Sequence, residues 1–143
     1  MLKIKKLRDS AKISQYATDG AAGLDLSADI DGVIELRPRE RVLVPTGLAF
    51  EIEEGKVGLV FARSGISTKK GIALSNGVGV IDSDYRGEVK CGLINLSDDS
   101  YCIQPGDRIA QMVIVPYFHE ELLEVESLND TVRSDGGFGS SGR

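Results

Sequence analysis

From Asn76 to Glu88 the chain reads NGVGVIDSDYRGE, its densest stretch of chemistry-bearing residues. Asn76-Gly77 is the two-residue signal that opens a tight hairpin. Gly79, Val80 and Ile81 follow, and the tip of such a hairpin would offer backbone donors and acceptors to the polar edge of a base. Asp82, Asp84 and Tyr85 then arrive together, and a carboxylate at that point could hold or deprotonate a water. Read alone, the segment is equally a hairpin rich in turn-forming aspartates.

Four other segments carry candidate groups. Ala62-Arg63-Ser64-Gly65 leads into a short helical stretch, and a helix start preceded by arginine suits an anion. Its bland reading is an N-cap serine, Ser64, beside a surface arginine. Asp25 lies within the apolar strand-like run Gly23-Leu24-Asp25-Leu26, where a carboxylate must either anchor an arginine or serve a site. Gly106-Asp107-Arg108-Ile109-Ala110-Gln111 is a turn feeding a strand, with Gln111 able to point inward. The C-terminal RSDGGFGSSGR has Arg133 as a forked cation for phosphate. Its glycines and the hydroxyls of Ser140 and Ser141 can converge on an oxyanion. Phe138 can stack on a planar base. As composition alone, the same stretch is a Gly/Ser-rich terminus. His119, the only histidine, has no partner pattern and reads as surface.

The elements that must hold these groups are strands. Apolar residues recur with period two at Val57, Leu59 and Phe61, at Val42 and Val44, and at Leu48, Phe50 and Ile52 beyond a Pro45-Thr46-Gly47 turn. Further strands are expected over 2–5, 23–27, 33–36, 72–74, 78–81, 89–96, 101–103 and 109–118, the last ending or edging at Pro116. Turn residues recur every 8 to 12 or so positions, which argues an antiparallel sandwich or jelly roll. Only 64–70 looks helical, with Ser64 as a possible cap and Gly71 as the stop. Glycine is in excess, 17 of 143 residues, and in an ordered chain that means many turns and close backbone approaches.

Composition removes several classes. The length fits one domain, and 41% hydrophobic with 27% charged residues fits a soluble globular protein. No apolar run reaches the ~18 residues of a membrane helix. The start MLKIKKLRDS has no apolar region behind its lysines, so secretion is not expected. The net charge of −5 speaks against general nucleic-acid binding but leaves room for a small anion beside local arginines. Cys91 and Cys102 are too few for a disulfide scaffold or zinc cluster and read as reduced core thiols, possible neighbours across a hairpin.

Five such segments in this order resemble the trimeric all-β dUTPase (dUTP diphosphatase) family. The matching motifs are 22–28 (AGLDLSA), 63–65 (RSG), 79–88 (GVIDSDYRGE), 106–111 (GDRIAQ) and the glycine-rich tail. The resemblance implies an all-β, jelly-roll-like barrel or sandwich with one short helix and a Gly-rich C-terminal arm. It divides the chain into a β domain over 1–127 and an arm over 128–143 that closes on the site. The implied reaction is Mg²⁺-assisted hydrolysis of dUTP to dUMP and pyrophosphate, which keeps uracil out of DNA and supplies dUMP for dTMP synthesis.

Residue by residue, the resemblance makes Asp82 the general base. It sets Tyr85 under the deoxyribose and the backbone of Asn76, Gly79, Val80 and Ile81 against uracil. Arg63, Ser64, Gly65 and Gln111 face the phosphates, and Asp25 supports the site and orders water. Arg133 meets the γ-phosphate, Phe138 stacks on uracil, and Gly139, Ser140 and Ser141 close on the phosphates. Mg²⁺ is then held by phosphate oxygens and water rather than by protein ligands. The family assembles as a homotrimer with shared sites, and the expected location is the cytoplasm, or the nucleus or host cell for a eukaryotic or viral source. Two departures stand out: Ser134 occupies a position that is commonly glycine, and Asp135 adds negative charge. Alternatives are a dCTP deaminase of the same fold, which would need a different third motif, and a non-catalytic dUTP-binding regulator.

Overall fold

The computed structural model describes residues 1–136. It contains eleven strands and one helix. The first six strands are β1 (Lys3–Lys6), β2 (Leu24–Ser27), β3 (Ile34–Leu36), β4 (Arg41–Pro45), β5 (Leu48–Glu51) and β6 (Lys56–Phe61). Helix α1 (Ser64–Lys70) precedes β7 (Ile72–Leu74), β8 (Gly79–Ile81), β9 (Lys90–Asn95), β10 (Tyr101–Ile103) and β11 (Arg108–Pro116). The all-β reading with a single short helix holds, and β11 stops at Pro116, which has no N–H to continue a ladder. No helix among the described residues is long and apolar enough to cross a membrane.

Every ladder is antiparallel, and none joins consecutive strands. The orders are β1-β5, β10-β3, β2-β11-β6-β8 and β4-β9-β7, so four sheets share one core and none closes on itself. That core comprises Leu24, Leu26, Val44, Leu48, Ile72, Leu93, Ile103 and Met112 among others. Alternation on β2 buries Leu24 and Leu26 and turns Asp25 and Ser27 outward, which places a carboxylate on the sheet's outer face without burying it in the core.

Several local expectations are corrected. Asn76-Gly77 does not close a hairpin. β7 pairs with β9 and β8 with β6, so the turn carries the chain from one sheet to another, with Gly77 at φ 74°. Ser64 is the first helical residue, not the cap: Arg63 occupies that position in extended geometry without a side-chain cap bond. Gly71, left-handed at φ 70°, ends the helix as expected. On β6 the buried face is Gly58 and Val60, while Val57, Leu59 and Phe61 are half-buried on the other side. Cys91 is buried, and burial pushes its thiol up to about 12. Cys102 is exposed on β10, opposite Glu35 of β3, so it is neither core nor a neighbour of Cys91 across a hairpin.

Candidate active site

The central sheet brings two of the sequence candidates into one row. Gln111 on β11 lies opposite Asp25 of β2 on one side and Phe61 of β6 on the other, and direct cross-strand partners share a face. Arg63, just past β6, reaches back so that its Nε donates to Asp25 Oδ1 at 2.9 Å. Arg108 Nη1 donates to the other carboxylate oxygen at 3.1 Å. Asp25 therefore does anchor an arginine, in fact two, and sequence reasoning did not single out Arg108. The amide of Gln111 donates to the Ala62 carbonyl at 3.1 Å. A Cβ on Gly23 would strike Gln111 Oε1, so glycine is what lets the glutamine lie there.

Arg63, Ser64, Gly65, Asp25 and Gln111 line one cleft of about 400 Å³. The N–H groups of Ser64 and Gly65, in the first turn of α1, have no carbonyl to bond within the helix. The cleft thus combines a guanidinium, a hydroxyl and free amides on one side, and its one carboxylate is already charge-paired. That is the composition of an anion site.

Val80, Ile81, Asp82 and Tyr85 line a second cleft, of about 380 Å³, together with Leu43, Glu88 and Lys90. Asp82 follows β8 and opens a turn closed by the Tyr85 N–H on the Asp82 carbonyl at 3.2 Å. Arg86 Nη1 caps that turn by donating to the Ser83 carbonyl at 2.6 Å and the Tyr85 carbonyl at 3.1 Å. The Asp82 carboxylate is exposed and has no hydrogen-bond or ion-pair partner among the described residues. Tyr85 Oη donates to the Glu88 carbonyl at 3.0 Å, and a Cβ on Gly87 would run into the phenol ring. Asn76 and Gly79 adjoin this cleft without lining it. The Asn76 amide nitrogen lies 3.7 Å from where a Gly79 Cβ would be.

Glu88, absent from the predicted site residues, also lines this cleft. Burial raises its proton affinity, but Arg8 and the Gly47 N–H outweigh that and hold the carboxyl below the ordinary glutamate range. Arg8 is itself raised, first by Glu88 and then by Asp29.

The two clefts share no lining residue within the chain. Arg133 lies at neither. Its Nε donates to the Gly136 carbonyl at 2.8 Å, inside a local turn where Ser134 takes the left-handed φ of 45° that favours glycine. Phe138, Gly139, Ser140 and Ser141 lie outside the described residues.

The dUTPase family model matches residues 9–142. The chain belongs to the dUTPase family. A deoxyuridine 5'-triphosphate nucleotidohydrolase of Hydrogenobaculum sp. (strain Y04AAS1) is 53% identical over 141 residues, covering 99% of this chain and 97% of that protein. The dUTPase of Staphylococcus bacteriophage 80alpha, solved with dUpNHpp, superimposes with a TM-score of 0.90 at 31% identity, covering 100% of this chain and 99% of that one. A variant of the S. aureus phage phi11 dUTPase, described with a structural Mg(II) ion, has a TM-score of 0.82 at 27% identity over 91% of this chain and 99% of that one.

The family's metal can be tested against the donors present. Among the described residues no three His, Cys, Asp or Glu side chains form a metal-binding group. Asp25 is already ion-paired with two arginines. This donor set does not make a protein cage, but it fits a hard cation that keeps its waters and is carried by phosphate oxygens.

Proposed function

We propose that the chain hydrolyses dUTP to dUMP and pyrophosphate, with Asp82 as general base. The observation that carries the reading is the exposed Asp82 carboxylate, without a hydrogen-bond or ion-pair partner among the described residues, in a cleft that Val80, Ile81 and Tyr85 also line. A water held by Asp82 attacks the α-phosphorus in line. Its proton passes to the carboxylate, the new P–O bond stays with dUMP, and the bridging α–β P–O bond breaks with its electron pair leaving on pyrophosphate. Asp25 supports the site and orders water, and Mg²⁺, which phosphate oxygens and water would hold, would supply neutralisation of the phosphate charge.

The flat face of Tyr85 under the sugar leaves no room for a ribose 2′-hydroxyl. The backbone from Asn76 and Gly79 to Ile81 pairs with uracil's carbonyl and N–H edge, mispairs with cytosine and clashes with the thymine methyl. Such rejection is stronger than loss of a contact. Arg63, Ser64, Gly65 and Gln111 take the phosphates. From the arm over 128–143, Arg133 takes the γ-phosphate, Phe138 stacks on the base, and Gly139, Ser140 and Ser141 close over the chain of phosphates.

The separation of the two clefts supports a site shared between chains. The central sheet presents an outer row of Val113, Leu59 and Val80 beside Val115 and Val57, an apolar face that the described residues leave half-buried, with Val80 exposed. We place that face in a homotrimer in which the nucleoside cleft of one chain meets the phosphate cleft of the next, and the arm comes from the third. The organism named for the relative at 53% identity is a Hydrogenobaculum strain, and we place the enzyme in the cytoplasm with its nucleotide. Product analysis tests the chemistry: dUMP and pyrophosphate in equal amounts from dUTP are expected, and ammonia from dCTP would overturn it.

A further inference from the structure

Arg8 stands outside every motif described above, yet it ties three segments together at the back of the nucleoside cleft. Its Nε donates to Asp29 Oδ2 at 2.6 Å and its Nη2 to Glu88 Oε1 at 2.5 Å. The Asp29 side chain is only 5% exposed and that of Glu88 14%. Two carboxylates with so little access to water share one guanidinium, which gives each its only hydrogen bond from another side chain among the described residues. The Gly47 N–H donates to the same Glu88 oxygen at 2.9 Å. Gly47 has a left-handed φ of 67°, and a Cβ there would strike Asp29, so the three groups close around a backbone that only glycine allows.

This knot bears directly on Tyr85. The carbonyl of Glu88 accepts the Tyr85 hydroxyl, while the Glu88 carboxylate is held by Arg8. The next residue is fixed as well: the Val89 N–H donates to the Leu48 carbonyl at 2.9 Å, and Thr46 Oγ1 to the Val89 carbonyl at 2.7 Å. The phenol therefore rests on a segment whose position is set by a residue far away in the chain. Lys90 Nζ, at 3.7 Å from the other Glu88 oxygen, is an ion-pair partner beyond hydrogen-bond reach and bonds neither Asp29 nor the Arg8 side of Glu88.

We propose that Arg8 is a positioning residue for the nucleoside cleft: by bridging Asp29 and Glu88 it fixes the Tyr85–Glu88 segment and so sets discrimination between deoxyribose and ribose. The proposal rests on the reading of that cleft as the dUTP site. Arg8 itself lines neither cleft. Lysine at this position keeps a positive charge but offers one ammonium where a planar fork serves two carboxylates, so it holds the segment less firmly.

The test compares wild type, Arg8→Ala and Arg8→Lys in full-chain protein, each checked for folding by circular dichroism and for fraction of active sites by titration with a non-hydrolysable dUTP analogue. Steady-state constants are taken for dUTP and for UTP. Per active site, Arg8→Ala is expected to raise KM for dUTP about tenfold with kcat within about threefold, and to lower the dUTP-over-UTP ratio of kcat/KM by about tenfold. Arg8→Lys is expected to move both in the same direction by a smaller factor, and it carries the test if the alanine variant does not fold. A merely structural arginine would reduce the number of active sites and leave both quantities unchanged in those that remain. That result, in either folded variant, overturns the proposal. Absence of dUTP hydrolysis in wild type would instead strike the function on which it rests.

Discussion

Asp25 on β2 and Gln111 on β11 are direct cross-strand partners, with side chains on the same outer face of the central sheet. The pairing matters because each holds another group in place. Asp25 fixes Arg63 and Arg108, and Gln111 bonds the Ala62 carbonyl immediately before Arg63. One ladder thus gathers Asp25, Gln111 and Arg63 at a single cleft.

Substituting Asp25→Asn should therefore damage both stability and activity. The variant loses charge from a carboxylate that is 16% exposed and leaves two guanidinium groups with weaker partners. A loss of about 1–3 kcal/mol is expected, seen as a fall in Tm of about 2–4 °C per kcal/mol. Differential scanning calorimetry measures it, and kcat/KM for dUTP should fall about tenfold or more as Arg63 loses its orientation. Wild-type values of both would remove Asp25 from the support of the cleft.

Asp82→Asn should keep the fold and bind dUTP, because the side chain has no partner among the described residues to lose. Turnover should fall by about 10² or more, the usual consequence of losing a general base. Single-turnover kinetics separates the two effects. Unchanged turnover moves the base elsewhere.

Much of this was legible in the sequence, and the limits have physical causes. Period-two runs located most strands, Gly71 marked the end of α1, and Pro116 the end of β11, since these signals are local. Alternation alone does not say which face is the core. On β6 the large apolar residues Val57, Leu59 and Phe61 marked the period, while Gly58 and Val60 are the ones buried. Asn76-Gly77 correctly marked a turn, but strand partners depend on the whole topology, in which no consecutive strands pair. Arg8 and Glu88 carry no joint signal because they are 80 residues apart. The same holds for Asp25 and Arg108, separated by 83.

The Glu88 contacts also predict a pH dependence. Its folded-state carboxyl lies below the ordinary glutamate value of about 4.3. Its ionised contacts therefore contribute fully above that value and are lost as pH falls through the lower folded one. The Tm difference between wild type and Glu88→Gln should be clear at pH 7 and should shrink as pH drops from about 5 to about 3. Glu51 and Glu53, also lowered by their lysine partners, are common to both proteins and cancel. A gap that widens in acid would contradict the assignment.

Sharing of sites between chains has a direct assay. Asp82→Asn and Arg63→Ala chains, each inactive alone, should regain activity when unfolded together and reassembled. Any trimer holding both kinds has one junction where an intact Asp82 meets an intact Arg63. No recovery in reassembled hybrids of confirmed mixed composition would confine the site to one chain.

The central claim is dUTP hydrolysis with recognition of both uracil and deoxyribose, and the most direct measurement is pyrophosphate release from dUTP, UTP, dCTP and dTTP, with and without Mg²⁺. Rapid Mg²⁺-dependent release from dUTP alone, with the other three slower by orders of magnitude, is the expected result. Comparable rates on dTTP or dCTP would contradict it.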